Sequence, residues 1–159
     1  MVNNMSTSDP EIIFMLSRKI FIINQRFGLL LDRFLSKDNL TAKQFQLVAV
    51  IEQQFKGHPS VSEVANVLDT SHQNIKAIAN KLQKKGFIKI EKDLKDRRRQ
   101  LLKLTDKNNE YWKNNASEGE AFIINMFNGL NSEELLTFNN LIDKLIIGTE
   151  EQYRSAKTP

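Results

Sequence analysis

Three consecutive arginines, Arg97, Arg98 and Arg99, are the side chains of this sequence best suited to hold a polyanion. Guanidinium groups stay charged at neutral pH, and their N–H donors fork onto phosphate oxygens. The arginines lie between an acidic turn and the apolar run Leu101–Leu104, and Phe87–Asp93 upstream has the composition of a strand. The sequence therefore predicts a β-hairpin with a positive tip.

The basic residues are concentrated around this hairpin. From Ser71 to Leu104 there are 11 Lys and Arg against 3 Asp and Glu, whereas the whole chain carries a formal net charge of +4. Such segregation is the electrostatic footprint of a polyanion-binding protein, with nucleic acid ahead of a membrane surface. A solvated lysine-rich face is the alternative on charge alone.

A second polar set precedes the hairpin, on a helix predicted to begin near Thr70 and to end at residues 84–86. Its apolar residues recur at helical spacing from Ile75 to Leu82. The opposite face carries side chains able to pair with base edges or grip phosphate: Gln73, Asn74, Lys76, Ala77, Asn80 and Lys81. Gln73 has a rival role as the partner of Thr70 in a helix-capping box, and both roles stay open.

The elements ahead of this helix complete a helix-turn-helix. Capping boxes at Thr41–Gln44 and Ser60–Glu63 predict two helices, the second of them short and separated from the Thr70 helix by a tight turn. Three helices followed by a hairpin form a winged helix-turn-helix. Asp96 beside the arginines is electrostatically unfavourable for DNA contact, so we expect its carboxylate to pair with an arginine and fix the hairpin loop.

Long helices are predicted on either side of this domain. Thr105 is a good N-cap for the first one downstream, and Asn131 begins the last. Segments 11–35 and 120–147 are more densely apolar than a helix needs to meet one core. A second subunit would account for that coverage, and a monomeric helical core is the alternative. The expected fold is mainly α with a small β-hairpin.

Composition excludes several other classes of protein. There is no cysteine, and no apolar run approaches the roughly 20 residues of a transmembrane helix. The two histidines, His58 and His72, are isolated, and no catalytic triad or Gly-rich phosphate loop occurs. We therefore expect a soluble cytoplasmic protein that is not an enzyme, with no metal site, no cofactor and no membrane partner.

The arrangement resembles the MarR family of bacterial transcription regulators. The family's wing motif, Asp-x-Arg followed by a hydrophobic strand ending in Leu-Thr, is matched by Asp96–Arg98 and then Leu101–Thr105. The run SHQNIKAIANKLQKKGFIKIEKD is similar to the family's recognition helix and first wing strand, and Asn131–Leu135 to the start of its last helix. The family's usual proline after the first wing aspartate is Leu94 here.

The resemblance implies a function for each region. Residues 36–105 would form the winged helix-turn-helix DNA-binding domain, and residues 1–35 and 106–159 a helical dimerisation region. A homodimer would bind a pseudo-palindromic operator in double-stranded DNA and act as a repressor until a small aromatic or phenolic effector releases it. The residues expected at the DNA are the six of the Thr70 helix together with Asp96, Arg97, Arg98 and Arg99.

Within this set the resemblance assigns roles to the wing. Asp96 would orient the wing, and Arg98 would enter the minor groove. The effector-binding residues are unknown, since Phe45, Tyr111 and Trp112 could line a pocket or belong to the core. The alternative function is a winged-helix protein-interaction module whose hairpin binds an acidic partner without reading DNA.

Overall fold

The computed structural model describes residues 9–157, which form six α-helices and one β-hairpin. A 3-10 turn, Ser36–Asp38, follows the first helix. In chain order the elements are α1 (Asp9–Leu35), α2 (Ala42–Gln54), α3 (Val61–Val67), α4 (His72–Lys84), β1 (Ile88–Lys92), β2 (Gln100–Leu104), α5 (Asp106–Met126) and α6 (Ser132–Lys157). The predicted fold class is confirmed. Residues 1–8 of the predicted segment 1–35 lie outside the described residues.

Reciprocal capping starts three of these helices. In each, the N-cap side chain accepts the backbone N–H of the residue three positions on, and that residue's side chain accepts the N-cap N–H. The pairs are Thr41 with Gln44, Ser60 with Glu63, and Asn131 with Glu134. The helix starts predicted at Thr41, Ser60 and Asn131 are therefore confirmed.

The hairpin is attached to the helix-turn-helix as well as to itself. β1 and β2 pair antiparallel, with Ile88 opposite Leu104 and Lys92 opposite Gln100. The Leu102 N–H also donates to the Pro59 carbonyl at 2.8 Å, next to an isolated antiparallel bridge between Ser60 and Leu101. The hairpin is thus anchored at the residues that begin α3, a contact that the sequence did not predict.

The buried apolar side chains of the described residues lie between Leu31 and Leu102. The chain forms two compact units that divide between Asn114 and Asn115, within α5, so this core belongs to the first unit. The most deeply buried large apolar side chains are Leu35, Leu47, Val64, Ile75, Leu82, Ile88 and Leu102. They come from α1, each helix of the helix-turn-helix and both strands, which fixes these elements against one another.

The helix α1 leaves most of its apolar side chains on the surface. Phe14 is 67% exposed and Phe21 is 74% exposed. Aliphatic side chains along the same helix are also exposed, including Ile23 and Leu29. An apolar surface of this extent is characteristic of an interaction site rather than of scattered surface residues.

Two leucines of the hairpin provide a matched test of the core. Leu102 on β2 is completely buried, whereas Leu94 at the loop is 99% exposed. We expect Leu102→Ala to lower the free energy of unfolding by about 2–5 kcal/mol, because it removes buried methyl groups and leaves a cavity. Leu94→Ala should change it by less than about 0.5 kcal/mol. Urea unfolding at one fixed protein concentration measures both, and equal effects would contradict the described core.

Candidate nucleic-acid interface

The helix α4 separates an apolar face from a polar one. Ile75, Ala79 and Leu82 are buried against the rest of the first unit. The six side chains predicted to read DNA are all exposed: Gln73, Asn74, Lys76, Ala77, Asn80 and Lys81. The structure therefore presents the predicted reading face to solvent, with amides and ammonium groups able to donate to base edges or phosphates.

The cap of α4 differs from the predicted one. Ser71, not Thr70, is the N-cap, and its hydroxyl accepts the backbone N–H of Asn74 at 3.2 Å. The Asn74 side-chain amide donates to the Thr70 hydroxyl at 2.9 Å. The predicted Thr70–Gln73 capping box is wrong, because Ser71 competes for the same role one residue later. Among the described residues no hydrogen bond engages the Gln73 side chain, so the hydrogen bonds at the start of α4 are made by Asn74 instead.

The C-terminal end of α4 is held by a charged side chain. Lys85 is the C-cap, and Gly86 follows at a φ of 79°, in the left-handed region that favours glycine. The Lys85 ammonium group donates to the Asn39 carbonyl and, at 3.0 Å, to Gln44 Oε1. Because Gln44 is also part of the α2 capping box, the end of α4 is tied to the start of α2.

The wing loop, residues 93–99, is closed by its own backbone and by two aspartates. The Asp93 N–H donates to the Arg99 carbonyl at 3.1 Å, and the Arg99 N–H donates to the Asp96 carbonyl at 2.9 Å. Asp93 Oδ1 accepts the N–H of Lys95 at 2.8 Å, and Asp96 Oδ1 accepts the N–H of Arg98 at 3.0 Å. These are aspartate turns, in which a side chain replaces a backbone acceptor.

The partner of the Asp96 carboxylate differs from the predicted one. We expected its carboxylate to pair with an arginine side chain, but it accepts the backbone N–H of Arg98 instead. The paired arginine is Arg99, whose Nη2 lies 2.9 Å from Glu63 Oε2 on α3, with Nη1 at 3.9 Å from Asp93. In the described part of the chain no ion pair involves Arg97 or Arg98, and both side chains are exposed.

The Glu63 carboxylate is held by hydrogen bonds at the start of α3. Its Oε2 accepts the Ser60 N–H and the Ser60 hydroxyl, each at 2.7 Å. These hydrogen bonds, followed by the positive charge of Arg99, hold the pKa of the Glu63 carboxyl below its ordinary value. The carboxylate is thus charged at neutral pH and available to Arg99. The sequence pointed to Glu63 only as a cap, because a contact between residues 36 positions apart leaves no local signal.

The aromatic residues considered for an effector pocket pack on one another. The Tyr111 ring centroid lies 5.2 Å from that of Phe87 and 4.8 Å from that of Trp112, and Trp112 lies 5.2 Å from Phe45, all edge-to-face. Trp112 donates to the buried amide of Asn108 at 2.9 Å. The cluster supports the base of the hairpin and the first turns of α5.

Residues 9–157 contain no group of three or more His, Cys, Asp or Glu side chains able to hold a metal ion. None of the described helices is long and apolar enough to cross a membrane.

The helix pair α3–α4 and the attached hairpin define a winged helix-turn-helix protein. A family model described as the MarR family matches residues 38–99. The match covers the winged helix-turn-helix, and the resemblance carried by the wing motif is confirmed over this segment. The family is one of transcription regulators. Comparison with the curated proteins gives no match.

Solved structures share the fold over most of the chain. A mutant MarR from E. coli in complex with operator DNA is 23% identical with a TM-score of 0.74, covering 89% of this chain and 99% of that one. The transcriptional regulator SlyA is 17% identical with a TM-score of 0.75 and the same coverage. BpsR of Bordetella bronchiseptica, described as regulated in DNA binding by 6-hydroxynicotinic acid, is 20% identical with a TM-score of 0.71, covering 82% and 98%. At these identities the likeness shows the fold.

The corrected role of Asp96 can be tested without DNA. Asp96→Ala removes the acceptor for the Arg98 N–H, so we expect faster hydrogen exchange at that amide. Asp96→Asn keeps a carbonyl oxygen at the same place and should retain most of the protection. Exchange followed by NMR measures both variants. Equal loss of protection in the two would show that the charge of Asp96, rather than the hydrogen bond, holds the loop.

Proposed function

We propose that this protein is a dimeric, sequence-specific DNA-binding transcriptional regulator of the MarR type. One observation carries the proposal: a single folded unit presents the exposed polar face of α4 together with the exposed arginines Arg97 and Arg98 of a closed wing loop. The segment that holds both has 11 Lys and Arg against 3 Asp and Glu. Regular geometry and segregated positive charge are what a duplex-binding surface requires.

The two parts of the surface suit the two grooves of DNA. A major groove admits an α-helix, and amide side chains such as Asn80 and Gln73 can pair bidentately with adenine, while Lys76 and Lys81 can donate to guanine or to phosphates. Ala77 allows close approach and contact with a thymine methyl group. The wing follows the backbone to the minor groove, where Arg98 meets the focused negative potential of a narrow groove.

The solved relatives support this assignment through their own described partners. The E. coli structure was determined with operator DNA, and BpsR is described as having its DNA binding regulated by 6-hydroxynicotinic acid. We propose that this chain likewise binds an operator and acts as a repressor in the cytoplasm, released by a small aromatic or phenolic effector. Energetically, release needs only an effector that binds one dimer conformation more tightly than another. No catalysis, cofactor or metal is part of the proposal.

The exposed apolar surface of α1 supports the homodimer. Two copies related by a two-fold axis would present two α4 helices to successive major grooves, about 34 Å apart along the duplex. The matching operator is pseudo-palindromic.

Selection of bound duplexes from a random pool tests the proposal as a whole. We expect enriched sequences with two inverted half-sites whose centres lie about one helical turn apart. Failure to bind any duplex at low salt would reject DNA reading and favour a winged-helix module that binds an acidic protein.

The salt dependence of binding tests the wing. We expect Arg98→Ala to weaken binding to a selected duplex and to reduce the slope of log K against log salt by about 1, because one phosphate-directed charge is lost. The control, Lys144→Ala on α6, removes the same charge outside the basic segment and should leave the slope unchanged. Fluorescence anisotropy between 50 and 200 mM salt measures both. An unchanged slope in Arg98→Ala would remove this arginine from the interface.

The dimer has its own charge-matched test. Phe14→Asp with Phe21→Asp places two carboxylates on the exposed apolar face of α1, and we expect monomers because both charges would be buried in the interface. Lys19→Asp changes the net charge by the same amount at an exposed position of the same helix and should stay dimeric. Light scattering coupled to size-exclusion chromatography measures the mass of each. Dimers in the double variant would place the interface elsewhere.

A further inference from the structure

The wing touches the helix-turn-helix through one side-chain link as well as through its strands. Arg99 Nη2 donates to Glu63 Oε2 at 2.9 Å, which joins the end of the wing loop to the first turn of α3. Both side chains remain about half exposed. An ion pair this exposed adds little to global stability, so we expect it to act on the local geometry of the wing loop.

Glu63 is a fixed anchor rather than a mobile surface carboxylate. The oxygen that receives Arg99 also accepts the backbone N–H and the hydroxyl of Ser60. The Glu63 backbone N–H in turn donates to the Ser60 hydroxyl at 3.3 Å. Because moving this carboxylate would break the α3 cap, its position is set by the helix and not by the wing.

Arg99 in turn is the residue that closes the wing loop. Its carbonyl accepts the Asp93 N–H and its own N–H donates to Asp96, so both sides of its backbone are engaged. With its guanidinium held by Glu63, Arg99 is fixed at backbone and side chain alike. The two preceding residues, Arg97 and Arg98, project from this fixed base.

We propose that Glu63 and Arg99 are positioning residues that clasp the wing to α3 and thereby aim Arg97 and Arg98 at the DNA backbone. Arg99 then supports the wing and does not contact DNA, although it directly follows Arg97 and Arg98 in the sequence. The inference rests on the proposed DNA binding, and its first test is made without DNA.

The clasp predicts that loss of the Glu63 carboxylate changes DNA affinity in the opposite direction to that expected from charge alone. Removing a carboxylate beside a DNA-binding surface makes that surface more positive and should strengthen binding to a polyanion. Glu63→Gln keeps an amide oxygen for the Ser60 N–H but gives up the ionic partner of Arg99. If Glu63 positions the wing, this substitution weakens specific binding even though it adds positive charge.

Wing order in the free protein is the first measurement. We expect backbone order parameters of Arg97, Arg98 and Arg99 to fall from the rigid range, about 0.85, toward about 0.6 or below in Glu63→Gln. Arg99→Gln, which leaves the α3 cap untouched, should give the same fall. Glu91→Gln removes a carboxylate from β1, where it has no described partner, and should leave the wing ordered. An ordered wing in both clasp variants would overturn the proposal.

Affinity for a selected duplex is the second measurement. We expect about tenfold weaker binding in Glu63→Gln and equal or tighter binding in Glu91→Gln. The double variant Glu63→Gln with Arg99→Gln, whose net charge equals that of the natural chain, should bind no more weakly than either single variant. Arg99→Lys should retain part of the affinity, because an ammonium group can still reach the carboxylate.

A direct DNA contact by Arg99 gives a different pattern. Arg99→Gln would then lower the salt slope by about 1. It would also weaken DNA binding by the same factor in the Glu63→Gln background as in the natural chain. That result would overturn the clasp while leaving DNA binding intact. If the natural chain bound no duplex, the proposed function would be rejected. The backbone order parameters of the wing would still decide whether the clasp exists.

Discussion

The corner between α4 and β1 is the constraint on which the interface depends. The Thr105 hydroxyl donates to the Gly86 carbonyl at 2.7 Å and lies 3.1 Å from the Phe87 carbonyl, while the Thr105 N–H also donates to Phe87. The Lys107 ammonium group donates to the Lys85 carbonyl at 2.7 Å. The last turn of α4, the start of the hairpin and the first turn of α5 are therefore joined at one point. Here the orphan carbonyls of a helix end are satisfied by the next helix.

This corner explains why a strongly basic segment can still present its charges in a defined geometry. The lysines and arginines of α4 and the wing repel one another, and burial could not order them without large desolvation costs. Order comes instead from hydrogen bonds of the backbone, including those that the loop aspartates accept. The register of β1 with β2 and the aspartate turns of the loop fix the chain, so the charged heads can remain in water.

Local chemistry in the sequence was sufficient to predict the elements. The Thr41 and Ser60 capping boxes start α2 and α3, Gly86 ends α4, and Thr105 precedes α5. The same reasoning placed the α4 cap at Thr70, because adjacent hydroxyl residues carry nearly equal capping signals. Contacts between distant residues left no such signal. Neither the Pro59–Leu102 hydrogen bond nor the Glu63–Arg99 pair could be found by periodicity, since each depends on how the elements pack.

The position of α4 relative to α1 is set by a second polar junction. The Asp32 carboxylate near the end of α1 accepts the Ala42 N–H at 2.6 Å, and Asp38 accepts the Tyr111 hydroxyl at 2.5 Å. Asn39 and Gln44 between them receive the ammonium group of Lys85 from the end of α4. Under the proposed function, a change at the end of α1 has a short polar route to the reading helix. A proposed effector acts only through its differential affinity for two states of the dimer, because a ligand with equal affinity for both shifts nothing.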